Sequence, residues 1–156
     1  MKAHPTIDPQ IGNPTVTALN KLIETNKDAE KGYSTAARTL RNKHPELAQR
    51  MEAHAQQRAT FANALADAVL ALDARPEKEG NFSAGIYRGW IRLRNVLRTG
   101  KTQAILREVE RGERLALHNY DDALTEGIFD DATEQIVRSQ RDKIAQAHDS
   151  IRNHLN

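Results

Sequence analysis

The chain has 156 residues, 38% of them hydrophobic and 28% charged, a formal net charge of +2 and no cysteine. This length suits one domain with a single core, and the missing cysteines exclude disulfides, thiolate metal sites and cysteine nucleophiles. The charge is too small to imply nucleic-acid binding by itself, and one Trp, three Tyr and three Phe leave the core to Leu, Ile, Val and Ala, a mix that suits long amphipathic helices.

Residues 1–13 carry Pro5 and Pro9 and no periodicity, and read as a flexible tail ahead of a domain over 14–156. Asn13-Pro14 is a helix start: a capping side chain, then a residue whose missing N–H costs nothing at the first helical position. The first helix is expected to run to about Asn42, with Leu19, Leu22, Asn26, Glu30, Tyr33, Ala36 and Leu40 on or beside one stripe. His44-Pro45 breaks and restarts the chain. The second helix then runs to about Asp73, with Leu47, Met51, His54, Arg58, Phe61, Leu65, Val69 and Leu72 inward. So short a connection predicts antiparallel neighbours.

After a loop over 74–82, with Ser83 as cap, a shorter helix to about Arg98 sets Ile86, Trp90, Leu93 and Leu97 on one face, and Trp90 is expected to anchor it. Thr99-Gly100 interrupts the pattern. The next helix occupies about 101–126 and ends at Gly127. The last starts near Asp131, with Ile136, Gln140, Ile144, His148, Ile151 and Leu155 inward. No segment alternates as a strand would. The predicted fold class is all-α: two helical hairpins joined by a crossover containing a short helix, the topology that separates ferritin-like four-helix bundles from simple up-down bundles.

A repeat supports this reading. Leu19, Leu22, Ala29, Tyr33 and Ala36 align with Leu106, Val109, Ala116, Tyr120 and Ala123 at a constant offset, as if one helix pair were used twice. No apolar run approaches the roughly 18 residues that span a bilayer, and the N-terminus lacks the apolar core of a signal peptide. A soluble, cytoplasmic protein is expected.

The stripes also carry polar groups. Glu30, Arg58 and Glu113 lie at similar depth near their helix midpoints, and a buried charge must be paired or bound to metal. Two readings compete. In one, Arg58 neutralises Glu30 and Glu113 in a structural ion-pair layer, its planar fork serving two carboxylates. In the other, a divergent site holds iron or manganese through ligands drawn from Glu24, Glu30, Glu110, Glu113 and His148. Di-metal bundles use Glu-x-x-His pairs on two helices, whose one-turn spacing puts both ligands on one face. Here Ala55 follows Glu52 by three, Ala116 follows Glu113 by three, and no Glu-x-x-His occurs. The structural reading is the preferred one, with no cofactor. Arg88, Arg92, Arg94 and Arg98 on the crossover helix form the one local basic excess. An anion-binding face competes there with a solvated helix paired with nearby acids such as Glu77 and Glu79.

These residues carry a resemblance. ET-x2-D-x-EKGY at 24–33, R-x2-F at 58–61, YRGW at 87–90, ERGE at 110–113 and HDSIR at 148–152 resemble an uncharacterised bacterial family of ferritin-like four-helix-bundle proteins. Glu113, Ala116 and Tyr120 are also similar to helices of the rubrerythrin-type branch. The resemblance implies a ferritin-like fold with helix-borne Glu and His as the place to look for metal, Glu30 and Glu113 standing at ligand-type positions. It implies no established activity. The expectation is a non-enzymatic stress or interaction protein, homo-oligomeric, with no membrane or nucleic-acid partner. The enzymatic alternative is a metal-dependent oxidoreductase.

Overall fold

A computed structural model of the chain describes residues 12–76 and 84–155, with side-chain placement in 84–90 limited to Gly89. The expected 1–13 tail and 74–82 loop, and the roles assigned to Trp90 and Arg88, fall largely outside the described residues. Among the described residues five long helices follow one another: α1 (Pro14–Leu40), α2 (Pro45–Ala71), α3 (Ala84–Thr99), α4 (Thr102–Thr125) and α5 (Asp131–Leu155). Among the described residues there is no strand, and the chain is an all-α helical bundle. No described helix is long and apolar enough to cross a membrane.

Local chemistry sets the boundaries. The Asn13 side chain accepts from the backbone N–H of Thr15 at 3.0 Å and of Val16 at 3.4 Å, with Pro14 opening α1. Pro45 opens α2 in the same way, although His44 gives no side-chain cap. Gly100 and Gly127 end α3 and α4, each at φ 64°, a left-handed conformation that glycine adopts without steric cost. Asp130 caps α5 by accepting from Thr133 N–H at 2.7 Å, which holds its carboxyl below the usual range. Asp131 and Glu134 in the first turn of α5 complement the helix dipole.

α1 packs most extensively on α2, and α4 on α5; α1 also meets α4, and α3 lies against both α1 and α4. Asn26 meets Arg58 while Tyr33 meets His54, so contacts along α1 and α2 pair in opposite chain order. The start of α1 is tied to the α4–α5 turn by Thr15 Oγ1, which donates to the Ile128 carbonyl at 2.9 Å.

The core is divided. One apolar cluster gathers residues such as Leu19, Leu22, Phe61, Leu65, Tyr120 and Ile144. A second gathers Tyr33, Leu40, Met51, Ile105, Leu106 and Ile151. Two expected core positions differ. Ile136 is 38% exposed and Val137 is fully buried in its place, because the α5 stripe runs 137, 140, 144, 148, 151. Leu72 is exposed because α2 ends at Ala71, before the stripe reaches it. Leu47 and Leu155, also expected inward, are half-buried.

Candidate functional site

Polar side chains from four helices converge between the two apolar clusters. Asn26 (α1) and Arg58 (α2) are 0% exposed, Glu113 (α4) 2% and Gln140 (α5) 4%. Each stands on its helix's apolar stripe, so helical periodicity carries it inward with its leucine and alanine neighbours. Arg58 Nη2 donates to Glu113 Oε1 in a buried ion pair, and its Nη1 donates to Asn26 Oδ1 at 3.1 Å. Asn26 Nδ2 donates to the Leu22 carbonyl at 2.8 Å and reaches Tyr120 Oη at 2.6 Å. Tyr120 Oη then donates to Gln140 Oε1 at 2.7 Å, and Gln140 Nε2 donates to the Phe61 carbonyl at 3.3 Å. A continuous relay thus links Glu113 to the α2 backbone.

The relay is not fully satisfied. Arg58 Nε, Glu113 Oε2 and Tyr33 Oη are buried without a hydrogen-bond partner among the described residues. Tyr33 nevertheless lies near Glu113. Burial and then the Glu113 charge push its phenol well above its ordinary value, although the two oxygens lack ordinary hydrogen-bond geometry. Burial also raises Tyr120, to about 12. Both tyrosines are therefore protonated at neutral pH. Burial lowers the His54 imidazole, whose ring centroid is 5.1 Å from that of Tyr33.

The layer differs in membership from the sequence expectation. Among the described residues Glu30 is half-buried and forms no ion pair with Arg58, whose second partner is Asn26, one helical turn earlier. The repeat explains the substitution. The offset that aligns Tyr33 with Tyr120 also aligns Asn26 with Glu113, so the two groups gripping Arg58 are equivalent positions of the duplicated helix. Each faces the tyrosine of the opposite copy: Asn26 faces Tyr120 and Glu113 faces Tyr33.

The remaining named residues lie apart from this layer or beside it. Glu110 and His148 meet across α4 and α5, with His148 Nε2 2.8 Å from Glu110 Oε1, and Arg114 Nε adds a bond to the same oxygen at 3.1 Å. Glu24 is half-buried on α1, where its charge helps raise the nearby Asp28. Among the described residues, no three His, Asp or Glu side chains converge at metal-binding spacing. On α3, Arg92 Nε lies 3.9 Å from Glu108 Oε1, and Arg94 and Arg98 are exposed.

Fold and site together define an all-α bundle with a buried arginine–carboxylate pair at its middle. The chain belongs to the family described as Domain of unknown function (DUF2383), which matches residues 14–126. Comparison with curated proteins returns no match.

Proposed function

We propose that this chain is a ferritin-like bundle of two antiparallel helix pairs serving as a non-enzymatic scaffold or interaction protein, with the Arg58 layer as a structural element. The observation that carries this reading is the fully buried guanidinium of Arg58 between Asn26 and Glu113. Di-metal carboxylate bundles hold their cations between facing helices at this depth. Here a side-chain cation lies among the inward polar groups, and it neutralises Glu113 without an exogenous ion. The site chemistry agrees: apart from Arg58 Nε, Glu113 Oε2 and Tyr33 Oη, the polar groups of the layer bond to one another rather than standing as open ligands.

A second reading, a divergent iron- or manganese-dependent oxidoreductase, is favoured by the Glu110–His148 contact. One experiment separates the two. The chain is reconstituted anaerobically with Fe(II), Mn(II) and Zn(II), desalted, and its metal content measured beside Glu110→Ala and Glu113→Ala. The scaffold reading expects well under one metal per chain in all three proteins. Near-stoichiometric metal in the wild type, lost in either variant, would replace it with the metal reading and make oxygen consumption the next assay.

A further inference from the structure

A cleft of about 110 Å³ opens where α1, α3 and α4 meet. Each helix contributes a glycine to its wall: Gly32, Gly89 and Gly112. A Cβ at Gly112 would meet nothing within 4 Å, so this side of the cleft is open space rather than tight backbone packing. Ala29, Leu93 and Ala116 supply apolar wall.

Tyr33 and Glu113 also line the cleft, each 2% exposed, and among the described residues their Oη and Oε2 are buried without a hydrogen-bond partner. Buried polar atoms of this kind carry a desolvation cost that a bound donor removes. The charge is one-sided as well. Among the described lining residues, Asp28, Glu108 and Glu113 stand against one cation, Arg111, which is already engaged by Glu108 at 3.0 Å.

We propose that this cleft binds a small aliphatic ammonium ion, whose N–H groups donate to Glu113 Oε2 and Tyr33 Oη while its alkyl chain lies on Ala29, Leu93 and Ala116. A carboxylate ligand would meet three acids, and a neutral alcohol has a single O–H for the two unpartnered oxygens and no charge to set against Asp28. Asp28 fits the same assignment. Burial raises its carboxyl to about 6, with Lys31 opposing and Glu24 adding to the shift. A cation in the cleft relieves that cost. The inference goes beyond the scaffold reading and does not depend on it.

The test is an NMR titration of the full chain with n-butylammonium, with 1-butanol and butyrate as matched neutral and anionic probes. Saturable amide shifts are expected within residues 25–33 and 108–119, with affinity at least about tenfold above either control, the scale of one charged hydrogen bond. Gly112→Leu adds bulk to the cleft wall while keeping both members of the Arg58–Glu113 pair, and should weaken butylammonium by at least about tenfold. Asp28→Asn should weaken it by roughly threefold or more. Non-saturable shifts, equal affinity for 1-butanol, or unchanged affinity in folded Gly112→Leu would each overturn the proposal. Should Gly112→Leu not fold, unchanged affinity in Asp28→Asn overturns it alone.

Discussion

Replacing Arg58 by Met keeps an unbranched side chain of similar reach but removes the guanidinium from the middle of the bundle. Glu113, 2% exposed, then loses its cation, and Asn26 Oδ1 loses a donor at 3.1 Å. Removing one member of a buried ion pair costs roughly 3–5 kcal/mol, because the other charge stays behind without compensation. The lost neutral acceptor adds about 1 kcal/mol. For a chain of this length, each kcal/mol shifts the melting temperature by roughly 2–4 °C, so a fall of about 10–15 °C is expected. Urea unfolding should show a lower midpoint with an unchanged slope. The double variant Arg58→Met/Glu113→Leu removes both charges, and it should recover most of the loss, with a coupling energy of at least about 2 kcal/mol. An Arg58→Met variant losing less than about 1 kcal/mol, or a double variant no better than the sum of its parts, would refute the view that the pair acts as one desolvated unit.

Three further outcomes follow from the same geometry. Tyr120→Phe cuts the relay between Asn26 and Gln140, and should cost about 1–3 kcal/mol by urea unfolding; a neutral result would mean the relay contributes nothing. Asp28→Asn should be stabilising at pH 7.5. With its folded pKa raised from 3.8 to about 6, the native state holds the proton more tightly than the unfolded chain. Stability due to Asp28 therefore rises as pH falls through about 6 toward 3.8. Discounted for its partial exposure, the gain is roughly 1–2 kcal/mol at pH 7.5, vanishing near pH 3.5; equal gains at both pH values would exclude a charge origin. Gly112→Ala should stabilise α4 by about 0.5–1 kcal/mol, since its Cβ meets nothing within 4 Å, and a lower thermal midpoint would show a contact there that the geometry lacks.

Features governed by local rules were readable from the residues. Asn13-Pro14, Pro45, Gly100 and Gly127 act through their own backbone chemistry, and the helix boundaries lie within about two residues of the expected ones. Features governed by packing were less so. Ile136 and Val137 are both apolar and adjacent, and only the seating of α5 on its neighbours selects Val137. Asn26 and Glu30 are one turn apart on α1, so periodicity admits both to the interior. Charge complementarity favours Glu30 as the partner of Arg58. Helix register instead brings Asn26 to the guanidinium, where its amide accepts from Arg58 while donating toward Tyr120. A signal for this lay in the repeat, since the Tyr33–Tyr120 offset also maps Asn26 onto Glu113. The cleft depends on where α3 comes to rest, and that position has no signature in any single helix.

The two apolar clusters on either side of the Arg58 layer are built mainly of Leu, Ile, Val and Ala, side chains that tolerate repacking against one another. Such surfaces discriminate weakly between axial settings of a helix. A slide of α2 by one turn, about 5.4 Å, would exchange similar methyl groups at modest cost. The same slide would carry the guanidinium into one of the dry clusters and strand Glu113 and Asn26 behind it. On the proposed structural reading, the layer is an alignment key: the flanking hydrocarbon makes the helices associate, and a single arginine fixes the height at which they do so.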